Sequence, residues 1–478
     1  MAQPTYQELL QVIAEKDRRI GELERQLAAA LARMADLERR YAELESRHRE
    51  LERLLEQRTR NGQRQAAPFS KGQPKNHPDK PGRKAGEDYG TKAFRHVPDR
   101  DPDEIIDVPL PKSCPHCGGR TREEHIDQQF QMEIPRRPIL RRFDLHIGVC
   151  TGCGQRIQPR HELQTSDALG AAASQMGPDT QALIALMKNK LGLSYGDITE
   201  LLHDGFGIDL TRGAAAHIVR RAAQRAEPVY QTLQGMTSRS DTVYADETGW
   251  RVGGRPQWLW TFVTEFASLY VIRPSRGADV PAEVLGMDYP GRMGHDGWAV
   301  YDQFTEATHQ QCMQHLLRRA KELLEQLGGR KGRFARRVQK FLLEALELRN
   351  RRQEGTISEH GFTVARGRLE KRLDRLLALR PQAEASRRFL NHLARHRDQL
   401  LTFLYEENLE ATNWPAEQAI RPAVVNRKVC GGNRTSRGAH ALEVLTSLLA
   451  TCRQNAFDAI AVLSNLLRTP RPTHASTT

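Results

Sequence analysis

The chain has 478 residues, enough for about three domains. Lys and Arg outnumber Asp and Glu by 72 to 59, a net charge of +13 with a pI near 9.6; this balance points to a polyanionic partner such as nucleic acid, the plain alternative being a generally basic surface. No run of about 18 apolar residues occurs, and the first residues, Met1-Ala-Gln-Pro-Thr-Tyr-Gln-Glu, carry no basic and apolar leader, so neither a membrane span nor secretion is expected.

Residues 1–58 read as a coiled coil. Ile13, Ile20, Leu27, Met34, Tyr41, His48 and Leu55 recur every seven residues, with Leu23, Ala30, Leu37, Leu44 and Leu51 three residues further on. These are a and d positions of a heptad pattern, and self-association is expected through them. Residues 59–104 change to Gln, Asn, Pro, Gly and Lys, the composition of a flexible basic linker. Lys80-Pro-Gly-Arg-Lys-Ala-Gly86 within it has the make-up of a minor-groove arm through Arg83 and Lys84, although a solvated linker explains it as well.

Residues 105–165 hold two C-x-x-C pairs, Cys114/Cys117 and Cys150/Cys153, which account for four of the seven cysteines. Four thiolates on two glycine-tightened turns suit a structural Zn²⁺, and Phe130–Ile134 and Phe143–Val149 alternate as the two strands of a zinc ribbon. His116 is a spare ligand, and a redox C-x-x-C pair is the rival reading. Residues 170–235 are predicted helical: Thr180–Lys190, then Tyr195–Leu202 capped by Ser194, a turn at Gly205–Asp209, and Arg212–Arg225 capped by Thr211. This fits a helix-turn-helix with Arg212, His217, Arg220 and Arg221 toward DNA, or an ordinary helical bundle.

From residue 240 the period shortens to two. Thr242–Ala245, Gln257–Thr264 and Ala267–Arg273 are predicted strands, and a short fourth ends at His295-Asp296. Three hairpin-linked strands and a crossover to a fourth open a ribonuclease-H-like α/β core over 240–310. A helical insertion, predicted from Thr308 to Tyr405 and broken near Gly328 and Gly355–Gly361, occupies 311–410. The core closes over 411–468, and 469–478 reads as a disordered tail.

Three acids stand out against this frame. Asp246 and Asp296 follow strand-like runs, and Glu417 falls in the first turns of a helix that Asn413 caps and Pro415 starts. A nuclease or strand-transferase that holds two Mg²⁺ ions needs carboxylates from separated segments, because Mg²⁺ prefers hard oxygen ligands. Alternation puts Asp246 with Tyr244 on one face of the strand, near its open end, and turns Glu247 away as a solvated neighbour. Asp302 competes with Asp296 for the second place. Arg421 lies one turn after Glu417. Arg427, Lys428, Arg434 and Arg437 continue a basic stripe suited to phosphates, and 330–352 adds nine basic residues against two acidic.

Together these motifs resemble bacterial insertion-sequence transposases of the IS66 family, DDE enzymes with a helical insertion before the last acid. The resemblance spans almost the whole chain. It is carried by Asp246-Glu-Thr, Asp296-Gly-Trp with Tyr301, Cys312-Met-Gln-His315 with Arg318-Arg319, and Asn413 through Glu417 to Arg421-Pro, followed by Arg427-Lys428. Gln418 stands where the family commonly has Arg, and Asn61–Lys75 has few of its serines. The resemblance implies a multidomain α+β protein that cleaves transposon ends and joins them to target DNA. Asp246, Asp296 and Glu417 would then hold two Mg²⁺ ions, with Mn²⁺ as a substitute. Double-stranded DNA would lie against Arg212, Arg220, Arg221, Arg318, Arg319, Arg421, Arg427, Lys428, Arg434 and Arg437. It implies a cytoplasmic, nucleoid-associated protein with accessory transposition proteins as further partners. A catalytically inactive DNA-binding regulator and a purely hydrolytic nuclease are the alternatives. Cys312 and His315 read as a buried structural pair rather than a metal site.

Overall fold

The computed structural model describes residues 98–165, 169 and 176–468, together with scattered positions between 14 and 47. The chain divides into two units, Met1–Phe94 and Arg95–Thr478. In the first, the described positions are helical; Leu23 and Met34, expected at d and a, are 56% and 55% exposed. The other heptad positions, linker residues 59–97 and the tail 469–478 lie outside the described residues.

In the second unit, each C-x-x-C pair makes a knuckle of the same construction. The Cys114 amide donates to Gly119 O at 2.7 Å and the Gly118 amide to Cys114 O at 2.8 Å; Cys150 with Gln155 and Gly154 with Cys150 repeat both bonds at 2.8 Å. Gly118 and Gly154 close the turns with φ of 71° and 72°, a region closed in practice to side chains. Around the second knuckle β1 (Gly148–Val149) pairs with β2 (Arg156–Ile157). The expected strands at 130–134 and 143–149 do not form beyond these two residues. Met132 and Ile134 are 81% and 75% exposed, so the alternating side chains have no surface to cover and the pattern lacks the force that makes a strand.

Three helices follow: α1 (Pro178–Asn189), α2 (Tyr195–Phe206) and α3 (Arg212–Ser238). Ser194 caps α2 reciprocally with Asp197, Gly207 ends it in the left-handed region, and Thr211 caps α3 through the Ala214 amide. Helix α3 runs well past Arg225 and carries Pro228 inside it. Its buried stripe of Ala222, Ala226, Tyr230 and Leu233 joins the main core, and Tyr230 donates to Tyr270 O at 3.0 Å. That tertiary contact outweighs the proline.

The sheet has five strands: β3 (Thr242–Val252), β4 (Arg255–Val263), β5 (Ser268–Arg273), β6 (Arg292–His295) and β7 (Thr308–Gln311), in the order β5-β4-β3-β6-β7. The first three are antiparallel; β6 and β7 lie parallel to β3. The crossover to β6 contains α4 (Asp279–Leu285), a short helix not predicted. Thr308–Gln311, expected as the start of the helical insertion, is instead the last strand; four residues are too few for periodicity to separate the two states.

The insertion consists of α5 (Met313–Leu327), α6 (Arg333–Gln353), α7 (Glu359–Leu377) and α8 (Glu384–Arg395). It has its own apolar core around Leu316, Phe334, Phe341, Phe362 and Phe389. Its two ends meet, since the Met313 amide donates to Ala411 O at 2.9 Å. The chain then returns to the sheet as α9 (Trp414–Cys430), α10 (Ser436–Gln454) and α11 (Ala459–Arg468).

Helix α10 closes the outer edge of β5. Glu443, Ser447 and Thr451, one per turn, accept from the amides of Ile272, Tyr270 and Ser268, every second residue of the strand. A helical turn advances about 5.4 Å and two strand residues about 6.8 Å, close enough for three bonds in register. The amides that would otherwise recruit a foreign strand are thus satisfied.

Candidate active site

Asp246 lies within β3 rather than at its end, because β3 continues to Val252 as a hairpin with β4. On its other side β3 pairs with β6 from Thr242↔Arg292 as far as Tyr244↔Gly294. Asp246 and Asp296 each stand two residues beyond that pair, Asp246 within β3 and Asp296 just past the end of β6, where the parallel half of the sheet ends. Gly294 is required there: a Cβ would enter the Tyr244 ring. The Tyr244 hydroxyl in turn accepts from the Glu410 amide at 2.7 Å, just ahead of α9.

Helix α9 packs on the face of β3 that carries Tyr244 and Asp246. Asn413 Nδ2 donates to Ala245 O at 2.8 Å, fixing the start of α9 beside Asp246, and the Glu417 amide donates to Asn413 O at 3.0 Å. Burial pushes the Asp246 carboxyl up to about 7; the charges of Glu247, Asp296 and Glu417 add to this, and the Glu247 amide, donating at 2.9 Å, opposes it. The three acids, separated in sequence, therefore share one electrostatic neighbourhood. Asp302 pairs with His396 at 3.5 Å.

Glu247 does point away from Asp246, as alternation requires, but it is not solvated. Its side chain is 3% exposed and is held by Arg276 at 2.7 Å and by the Tyr301 hydroxyl at 3.3 Å. Burial raises its carboxyl, against the hydrogen bond from Arg276. The Arg276 guanidinium stacks over Trp298 at 4.0 Å and Trp258 at 4.6 Å. The only sequence signal for this cluster was the aromatic residue near each acid.

Behind Asp296 lies a group of histidines that no motif announced. His295 Nδ1 accepts from the Gly297 amide at 3.0 Å, so its Nε2 carries the proton toward His309 Nδ1, also at 3.0 Å. His309 Nε2 then donates to Phe304 O at 2.8 Å. The pattern requires both rings to be neutral. Burial, followed by the neighbouring histidines His309, His396 and His392, holds His295 well below its ordinary range, and burial lowers His309 too. His392, pushed down to about 4 by burial and then by His396 and Arg319, donates to Gln311 Oε1 at 3.0 Å. This chain of bonds holds the turn at Asp296 and Gly297.

Cys312 and His315 open helix α5 beside the acids. The Cys312 amide donates to His295 O at 2.8 Å, and His315 Nδ1 stands 3.4 Å from Glu417 Oε1. Burial raises the Cys312 thiol, with backbone amides of Asn413, His315 and Gln314 pulling the other way.

The four cysteines expected to hold one Zn²⁺ stand in two knuckles, each closed on itself. Cys114, Cys117, Cys150 and Cys153 all carry free thiols, and no three of them bring their sulfurs within 4.8 Å of one another. Cys117 and Cys153, expected as the second ligand of each pair, are exposed, while Cys114 and Cys150 are half-buried. The long strands expected between the two knuckles do not form. Within each knuckle backbone amides favour the thiolate of the first cysteine. The amides of His116 and Cys117 lower Cys114, and those of Cys153 and Gly152 lower Cys150.

The basic residues divide by partner. Arg319 is half-buried and stacks on Phe389 at 4.7 Å inside the insertion. Arg427 donates to Thr248 Oγ1 at 2.9 Å and to Gly249 O, clamping α9 to β3. Arg220 is engaged with His217 at 2.7 Å, and Arg221 is half-buried. Arg212, Arg318, Arg421, Lys428, Arg434 and Arg437 are exposed. Arg421 lines a cavity with Lys190 and Arg453 between α1, α9 and α10. Asn433 fixes the strip that carries Arg434 and Arg437, accepting from Trp250 Nε1 at 2.7 Å.

Among the described residues no helix is long and apolar enough to cross a membrane. No curated protein matches the chain. Residues 173–441, more than half of its length, match the family described as Transposase IS66 family. That span runs from ahead of α1 into α10 and contains both aspartates, the whole insertion and Glu417, so the chain belongs to the IS66 family of transposases.

Proposed function

We propose that the protein is an active DDE transposase with a ribonuclease-H-like core, using Asp246, Asp296 and Glu417 to hold two Mg²⁺ ions. One observation carries the reading: Asp246 and Asp296 stand level beyond the Tyr244↔Gly294 pair, and Asp246 is acted on by the charges of both Asp296 and Glu417. The order β5-β4-β3-β6-β7, with its antiparallel and parallel halves, supports the core assignment. The donor set fits the ions: the charges of Asp296 and Glu417 both raise Asp246, and carboxylates that repel one another are relieved by a dication. When bound, two such ions supply Lewis-acid activation of water, and then of the 3′-hydroxyl, at a phosphodiester.

The chain's own residues do the rest. Asn413 and Arg427 hold α9 against β3, which keeps Glu417 over Asp246. The His295–His309 bonds fix the turn at Asp296. Arg276 offsets the charge of Glu247, so that this fourth acid does not compete for the ions. Arg212, Arg318, Arg421, Lys428, Arg434 and Arg437 bind the backbone of transposon-end and target DNA. Arg319 and Arg427 serve mainly as internal supports. The two knuckles come together on one Zn²⁺ through Cys114, Cys117, Cys150 and Cys153, for which their matching hydrogen bonds prepare the thiolates. Residues 1–58 pair protomers so that two ends are held at once. Accessory transposition proteins, Mn²⁺ as a substitute and a cytoplasmic, nucleoid-associated setting accompany this reading.

The test is cleavage and joining of transposon-end DNA in Mg²⁺, with binding measured in parallel at fixed salt. Asp246→Asn, Asp296→Asn and Glu417→Gln are expected to abolish both reactions and leave binding intact, while Asp302→Asn keeps much of the activity. If all three triad variants still cut, the mechanism is wrong and a DNA-binding regulator is the better description.

A further inference from the structure

Cys312 immediately precedes α5 and His315 lies three residues on, so the first turn of that helix brings both side chains to one side. Glu417 arrives there from the first turn of α9. One ligand atom from each residue lies within 4.8 Å of the other two, and no other group of three or more His, Cys, Asp or Glu side chains meets this condition among the described residues. His315 Nδ1 and Glu417 Oε1 are shielded from water, 3.4 Å apart, and without a hydrogen-bond partner. Cys312 is 1% exposed. Buried polar atoms are normally satisfied, so an orphaned pair facing a third donor marks a place for a further atom.

A buried structural pair, the reading taken from sequence, accounts for Cys312 alone. It does not account for an imidazole nitrogen and a carboxylate oxygen turned toward it. The donor set is thiolate, imidazole and carboxylate. Mg²⁺ disfavours the first two, whereas Zn²⁺ takes all three and keeps its fourth position open in such sites. Helix α5 is pinned on the catalytic side by the bond from the Cys312 amide to His295 O, and α9 by Asn413, so both backbones that carry the ligands are fixed.

We propose that Cys312, His315 and Glu417 form a further metal site, for a soft divalent cation of the Zn²⁺ class, joined to the catalytic carboxylates through Glu417. One oxygen of Glu417 faces the soft cation and the other is left for Asp246 and Asp296. The cation would thus fix the orientation of Glu417. This last consequence rests on the role proposed for Glu417 above; the binding does not.

Full-length protein stripped of metal is titrated with Co²⁺, which reports tetrahedral and thiolate ligation by its visible and near-ultraviolet absorption. Cys312→Ser is expected to bind one Co²⁺ fewer than wild type, with a difference spectrum of a single thiolate. Glu417→Gln is expected to weaken that same event at least tenfold, and Cys114→Ser to leave it unchanged. If Cys312→Ser does not fold, His315→Gln carries the comparison. Equal stoichiometry and superimposable spectra for wild type and the variant overturn the site. If the difference spectrum is absent while Glu417→Gln abolishes end cleavage, this site is refuted and the proposed function stands. If the difference spectrum is present while Glu417→Gln cuts normally, the site stands and Glu417 leaves the catalytic set.

Discussion

Replacing Asp246 by Asn should make the metal-free protein more stable while abolishing its chemistry. An aspartate in an unfolded chain releases its proton near pH 4, whereas burial and three neighbouring acids push Asp246 up to about 7. The folded state therefore holds the proton more tightly, and folding loses free energy as the pH rises through that window. The penalty is absent below about pH 4, grows between pH 4 and 7, and is constant above. Three decades of proton affinity correspond to about 4 kcal/mol, a ceiling because a half-buried carboxylate relaxes toward solvent. The asparagine variant has no proton to lose, and its side-chain oxygen still accepts from the Glu247 amide. Denaturant midpoints in excess chelator should show the variant ahead by about 1–4 kcal/mol at pH 8 and level with wild type at pH 4. Added Mg²⁺ should narrow the gap by stabilising wild type alone. An equal stability at pH 8, or an advantage that does not change with pH, would refute the crowding of charge argued for this site.

His440 bridges Glu443 and Glu227 at 2.9 and 2.8 Å, which raises it to about 9 against the pull of burial. Its folded value exceeds the unfolded one, so its contribution is full below about pH 6.5 and lost as the pH passes 9; His440→Gln, compared with wild type by thermal melting at pH 6 and 10, should cost no more than about 1 kcal/mol at the lower pH and nothing at the higher, as suits a half-exposed pair. Ser447→Ala leaves the Tyr270 amide at the sheet edge without its acceptor at 2.9 Å, and denaturation should show a loss of about 1–3 kcal/mol, with more aggregation on light scattering. Cys114→Ser should lower the zinc content of purified protein by one ion per chain and expose residues 105–160 to protease, while the core over 178–468 stays folded.

The residues that could be read from sequence are those whose signals are local. Ser194 and Thr211 announced helix starts, because a cap satisfies amides only three residues away. Asn413 and Pro415 located the helix that carries Glu417, although Asn413 spends its side chain on Ala245 rather than on a cap. The short strand ahead of Asp296 was likewise legible, and it ends at His295. What stayed hidden depends on partners far along the chain. Glu247 is made internal by Arg276, 29 residues on, and Arg427 is drawn inward by Thr248, 179 residues away. The histidines at 295, 309 and 392/396 belong to three separate segments, and no spacing rule gathers the three. In the cysteine region the two knuckles were legible, since each is a matter of five or six residues, but the strands between them failed. The alternation there was real, yet nothing packs on it, and Cys117 and Cys153 stay exposed at the ends of separate turns.

The bond between Met313 and Ala411 has a consequence for how this chain can change. Almost one hundred residues leave the sheet and come back within a single hydrogen bond of their departure, and they carry a core of their own. Closing so long a loop costs only slightly more than closing one of half its length. The chain path from Asp296 to Glu417 is therefore closed at two adjacent anchor points, while His315, His392 and His396 tie the inner ends of the insertion to the site. The outer helices α6 and α7 can then be lengthened, shortened or exchanged without disturbing the acids, which makes their far ends the natural place to graft a new domain onto this scaffold.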